Sequence, residues 1–331
     1  MKISENRRLL LFIAATLIVP AGLSRVFLIK THFDSNPVAQ LRVKEPDIVM
    51  LSDSVLDNGV DKQLMSELLG GRRVELLWYG GSASASWYFR LKNHIVASGI
   101  HPELVCILFR DRMLTNPHFR TEGTYRYKLE ATMHNNEPVF ATLHEREVAK
   151  KYDLERLVDK LYPLNARRHV AQEKIERKLL RVLSNLGTTV TELQDRLNAT
   201  FATSNLRGGG AEEAAALVNQ EEAEFDPDPR MSFLPHIVDV AQQANIRLCF
   251  LRVKRFPDAD GRVAQSPGLR RYIVQLSQWI QTHGCYFLDD TDNLERTQDM
   301  YFFPGDDHMS PLAKRKSTVL YAEELRTILS R

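Results

Sequence analysis

The chain has 331 residues, with 44 Lys and Arg against 42 Asp and Glu, a formal charge of +2 and 44% hydrophobic residues. This balance excludes an acidic disordered tail, a collagenous repeat and a nucleic-acid binder held by bulk charge, and the length allows one large or two small domains with a full hydrophobic core. Three cysteines (Cys106, Cys249 and Cys285) lack CxxC spacing and lie in apolar runs, which reads as buried free thiols.

From Leu9 to Ile29 the only charge is Arg25. Twenty-one residues of helix reach about 30 Å, the thickness of a bilayer's hydrocarbon core. Residues 1–35 therefore read as a single-pass membrane anchor. Lys2, Arg7 and Arg8 before the span favour a cytoplasmic N-terminus, which puts the rest of the chain outside the cytoplasm. A cleaved signal peptide is the rival reading. Val19-Pro20-Ala21 loosely imitates a cleavage site, but proline at its centre and the apolar continuation to Ile29 weaken it.

After a short polar linker, Asp47–Leu51 is a compact apolar run bounded by Pro46 and a Ser-Asp-Ser turn, the pattern of a buried strand. Val74–Trp78, Leu104–Phe109, Ile246–Leu251 and Cys285–Leu288 repeat it. Helical patterns at Asp61–Leu69, Ala85–Ala97, Phe233–Gln243 and Leu269–Thr282 fall between them. Such alternation predicts an α/β fold, a three-layer parallel sheet covered on both faces, over residues 36–331.

A segment at about 117–229 interrupts the alternation and reads as a helical insertion. Leu179, Leu183, Leu186, Val190, Leu193, Leu197 and Phe201 line one face of a helix, too short a stripe for a coiled coil. Gly208–Gly210 is a flexible break, Glu212–Phe225 a second helix, and Pro227 with Pro229 a stiff turn back to the sheet.

In a doubly wound sheet the ligand site forms beyond the carboxyl ends of the strands. Ser52-Asp53-Ser54 follows the first strand, and a serine at a strand-to-helix turn exposes its hydroxyl; helix capping is the plainer role for such residues. Near the C-terminus stands Gly305-Asp306-Asp307-His308. Histidine supplies a base near neutral pH, and a carboxylate on its other nitrogen orients it. Asp306, two residues before His308, reaches it across a turn better than its sequence neighbour Asp307. No metal site is implied, since His308 lacks clustered partners at ligand spacing and the other nine histidines are scattered. No cofactor-binding phosphate loop is present either.

Asp-Ser after the first strand, a Gly/Ser turn after the second and Asp-x-His near the end resemble the SGNH (GDSL) hydrolase superfamily over about residues 45–115 and 230–325. More narrowly, an anchor followed by such a domain resembles the membrane-tethered proteins of exopolysaccharide O-acetylation, as for alginate, and of teichoic-acid D-alanylation. The resemblance implies an SGNH/flavodoxin-like sheet with Ser54 as nucleophile, His308 as base and Asp306 as orienting acid. It also implies an oxyanion hole from the backbone N–H of Ser54 and of Gly81 or Ser84 in the turn Tyr79–Ser84.

Two positions depart from the family pattern. Ser52 replaces the first-block glycine, and the third block, Phe109-Arg110-Asp111-Arg112, has no asparagine. Losing one oxyanion donor costs about 100–1000-fold in rate. Arg110 either substitutes as a charged donor or forms a salt bridge with Asp111 at the strand end, and Arg252 either faces an anionic polymer or is a solvated strand terminus.

Two functions follow from the resemblance. One is an extracytoplasmic acyl-ester hydrolase or O-acyltransferase on a cell-envelope polysaccharide, at the inner membrane of a bacterium and beside a multi-pass membrane acyltransferase. The other is a catalytically inactive glycan-binding or scaffolding subunit.

Overall fold

The computed structural model describes residues 12, 16, 18–23, 32–134, 136–148, 161–162, 224–302 and 307–330. Helix α1 (Asn36–Lys44) opens the domain, so the segment read as a polar linker is ordered: it buries Leu41 and ends at Glu45 in a left-handed conformation (φ 40°). Strand β1 (Ile48–Ser52) follows and is buried throughout. After it come α2 (Ser54–Gly59), α3 (Lys62–Leu68), β2 (Val74–Trp78), α4 (Ser84–Phe89, continued by wider π-type turns over Arg90–Val96) and β3 (Leu104–Phe109). Helices α5 (Gly123–Glu130) and α6 (Pro138–Val148) lie in the described part of the insertion. Then come α7 (Leu234–Gln243), β4 (Leu248–Arg252), α8 (Pro267–Thr282), β5 (Tyr286–Asp289) and α9 (Lys314–Leu329). The apolar stripe Leu179–Phe201, Gly208–Gly210 and most of the helix expected at Glu212–Phe225 lie outside the described residues.

The five strands are parallel in the order β2-β1-β3-β4-β5, with Met50 aligned to Leu76 on one side and to Cys106 on the other. Because the chain steps one way from β1 to β2 and back past β1 to β3, the crossovers change faces there. The crevice between the carboxyl ends of β1 and β3 is thus the topological switch point. Strand periodicity explains the two cores. Val49, Leu51, Val105, Ile107 and Phe250 pack on one face against Trp87, Phe233, Tyr272 and Leu276 from α4, α7 and α8. Ile48, Met50, Cys106, Leu108 and Leu251 pack on the other against Val55, Leu56, Met65 and Leu325 from α2, α3 and α9.

All three cysteines are free and buried, and burial is the main cause that raises the thiol of Cys249 well above its ordinary value. Edge strand β2 carries Glu75, whose carboxylate pairs with Lys44 at 2.7 Å and with Lys62, an inward charge that blunts further strand pairing. Among the described residues no helix is long and apolar enough to cross a membrane. Of the expected anchor Leu9–Ile29, the described residues 12, 16 and 18–23 are helical.

Candidate active site

Ser54 is the first residue of α2, two residues beyond the end of β1. Asp53 turns the chain there: it is extended (φ −88°, ψ −153°) and its side chain accepts from the Val55 N–H at 3.1 Å, capping the helix. The cap leaves the Ser54 hydroxyl facing the C-terminal turn, where Ser54 Oγ lies 2.7 Å from His308 Nε2. The other ring nitrogen, Nδ1, is 3.3 Å from Asp307 Oδ1. Asp306 lies outside the described residues; among those described, Asp307 takes the position at Nδ1 that was expected of Asp306. The strand-like contact of Tyr301 with Met309, together with Phe302 N–H donating to the His308 carbonyl at 3.2 Å, holds this turn.

Behind the pair lies a buried chain of alternating charges. Arg110, at the end of β3, reaches Asp53 with Nη2 and Asp307 with Nη1. Arg120, from the insertion, donates to the same Asp53 oxygen at 2.9 Å. Burial pushes the Asp53 carboxyl up, but Arg110 and then Arg120 outweigh it and hold the group below its ordinary value. Burial likewise lowers the Arg110 guanidinium, and Asp53 opposes that shift.

Asp111 has a left-handed backbone (φ 41°), an unusual conformation that asparagine and aspartate tolerate best. It pairs not with Arg110 but with Arg252 at 2.7 Å and Arg255 at 2.5 Å. Arg252 also meets Asp289 at 3.1 Å and Gln265 at 2.9 Å, and only 2% of its side chain is exposed. Of the two roles open for Arg110, these contacts make the salt bridge at the strand end, though not with Asp111, and Arg252 is buried rather than a solvated strand terminus. Arg110 and Arg252 are both taken up by internal carboxylates, because a guanidinium at a buried strand end must be paired to stay charged. A cleft of about 470 Å³ does open at the ends of β4 and β5, and Arg262 and Arg270 rather than the buried Arg252 supply its exposed cations.

The turn after β2 is drawn against the end of β1. Tyr79 N–H and the Ser82 hydroxyl both donate to the Ser52 carbonyl, at 3.4 and 2.8 Å, and Trp87 Nε1 donates to Ser82 Oγ at 3.2 Å. Gly81 has φ +79°, and a Cβ there would stand 2.2 Å from the Tyr125 ring, so both backbone and space demand glycine. Its N–H, like those of Ser54 and Ser84 at the first positions of α2 and α4, donates to no described group. Ser52 needs no positive φ; its hydroxyl donates to the Leu108 carbonyl at 3.0 Å, fastening β1 to β3. Among the described residues no three His, Cys, Asp or Glu side chains are grouped to hold a metal ion.

The fold and these contacts define an α/β protein with a serine–histidine–carboxylate chain at the switch point of its sheet. No family model matches the sequence, and no curated protein matches it. Among solved structures the chain is similar to an acetyl xylan esterase, at 12% identity over 85% of this chain and 98% of that one with a TM-score of 0.37. It is also similar to a GDSL-like lipase from Bacteroides thetaiotaomicron, at 7% identity over 88% and 98% with a TM-score of 0.37. Likenesses of this size assign no activity.

Arg120 and Asp307 are the site residues that sequence reasoning missed or undervalued. Nothing in the sequence marks Arg120, which comes from the insertion; Asp307 carried the signal of adjacency to His308 but was ranked below Asp306.

Proposed function

We propose that the protein is a serine-dependent acyl-ester hydrolase or O-acyltransferase of the SGNH type. The observation that carries this reading is the 2.7 Å contact between Ser54 Oγ and His308 Nε2, made by residues 254 positions apart in sequence. Ser54 Oγ attacks the ester carbonyl while its proton passes to Nε2, and Asp307 steadies the imidazolium through Nδ1–H. The N–H groups of Ser54 and of Gly81 or Ser84 receive the oxyanion. Collapse expels the alcohol, protonated by His308, and leaves an acyl-serine. Water then completes hydrolysis, or a sugar hydroxyl completes transfer, with His308 again taking the proton.

The apolar span Leu9–Ile29 supports a membrane anchor that holds this domain on the outer side of the inner membrane, with an acylated cell-envelope polysaccharide as substrate and a multi-pass acyltransferase as partner. The test has two arms. Purified domain is assayed for acetyl release from p-nitrophenyl acetate and from acetylated polysaccharide, with a free oligosaccharide added as acceptor. Wild type and Ser54→Ala alike in activity, both folded, would return the chain to a scaffolding role. Full protection of the domain from protease in intact spheroplasts would overturn the topology.

A further inference from the structure

Arg110 lies in the third block, beside the position (Asp111) where the resemblance calls for an asparagine that helps hold the oxyanion, yet its place suits a different task. Its two terminal nitrogens are divided between two carboxylates: Nη2 on Asp53, which precedes the serine, and Nη1 on Asp307, which precedes the histidine. Only 10% of the side chain is exposed, which leaves little room for an oxyanion beside the two carboxylates. Asp307 is held from two directions, since Oδ2 meets Arg110 while Oδ1 faces His308 Nδ1. Asp53 in turn is fixed by Arg120 and by the Val55 N–H.

We propose that Arg110 is a positioning residue: it ties the serine's turn to the histidine's turn by bridging Asp53 and Asp307, and so keeps the Asp307 carboxylate aimed at His308 Nδ1. The inference rests on the triad reading above. A guanidinium suits this work because its planar fork presents separate N–H groups to two acceptors, whereas an ammonium is a single point charge. Without the bridge Asp307, itself near the surface, turns toward water and His308 loses its orientation. Misplacement of a reacting group by about 1 Å costs on the order of 100-fold in rate.

The test uses Arg110→Met and Arg110→Lys with two readouts. The first is the rate of Ser54 labelling by a fluorophosphonate, together with kcat and KM on p-nitrophenyl acetate. The second is the downfield proton resonance of His308 Nδ1–H, which does not depend on turnover. In Arg110→Met, labelling and kcat should fall together by about 100-fold with KM nearly unchanged. The resonance should weaken, and millimolar guanidinium should restore both; Arg110→Lys should lie between.

Among the described residues, the charged groups about His308 are Asp307 beside it and Arg110, Asp53 and Arg120 behind, with the uncharged Ser54 hydroxyl opposite. Wild-type labelling in Arg110→Met, a raised KM with kcat retained, or slowed labelling with neither guanidinium rescue nor a weakened His308 resonance would each overturn the proposal. If Arg110→Met does not fold, unchanged resonance and rates in Arg110→Lys overturn it equally. A wild type that is never labelled, but whose His308 resonance still depends on Arg110, would sink the hydrolase reading and leave the bridge standing.

Discussion

Replacing Gly81 by alanine strikes backbone and packing at once. The left-handed conformation (φ +79°) costs an L residue about 1–2 kcal/mol relative to glycine. The new Cβ would meet Tyr125 Cε1 at 2.2 Å and Cδ1 at 2.6 Å, so the ring must move, and overpacking of this kind adds about 1–3 kcal/mol. The sum, about 2–5 kcal/mol, is below the 5–15 kcal/mol that holds a typical domain, so the variant should fold and melt on the order of 10 °C lower. The damage should also reach the site. Tyr125 lies under the Arg120 guanidinium, 5.4 Å from its ring centroid, and Arg120 pairs with Asp53 beside Ser54. Thermal melting and esterase assay of Gly81→Ala, with and without Tyr125→Ala, separate the two contributions: the second change should relieve the clash and leave the backbone cost. A Gly81→Ala protein that melts within about 1 °C of wild type with full activity would refute this account of the turn.

Ser54→Ala and His308→Ala should each abolish ester turnover, approaching the million-fold loss seen when one member of such a unit is removed, with the double variant little worse. Ser54→Ala should unfold in urea within about 1 kcal/mol of wild type, since the side-chain contact it loses is one part-buried hydrogen bond; His308→Ala, which also gives up the contact with Asp307, should lose somewhat more. Asp307→Ala should depress kcat far more than Asp306→Ala, because Asp307 faces Nδ1; the reverse order in steady-state kinetics would hand the role to Asp306. A pH series of melting curves tests two groups of carboxyls. Burial raises Glu324 to about 9, with Asp290 adding to the shift. The folded state thus holds a proton that the unfolded chain releases near 4.5, and stability should decline as pH rises from about 5 to about 9, by at most about 1.4 kcal/mol per pH unit. Glu324→Gln should flatten that decline. Asp53 and Asp111 are held below 3.8 despite burial, so their contribution should be full at neutral pH and disappear as pH falls below about 4.

The sequence by itself determined the layers of this protein. The central strands were legible because a parallel strand buried on both faces is almost continuously apolar: Leu104–Phe109 appears with the expected bounds, as does the edge strand Val74–Trp78 despite Glu75, and the others shift by one or two residues. Ser54 and His308 were legible because a short polar turn after such a strand, and an aspartate beside a histidine, are rare enough to stand out. Helix α1 was not, since it buries only Leu41 and its polar composition hides the turn of helix that does so.

Charge pairing was decided only by the tertiary structure. Arg110 and Asp111 are neighbours, and adjacency suggested that they pair with each other. The left-handed backbone at Asp111 instead sends one toward Asp53 and Asp307 and the other toward Arg252 and Arg255, partners 57 to 197 positions away in sequence. Apolar periodicity is a local property written every two or four residues. A buried charge, by contrast, is neutralised by whatever opposite charge the fold brings within a few ångströms, and the linear sequence holds no record of that distance.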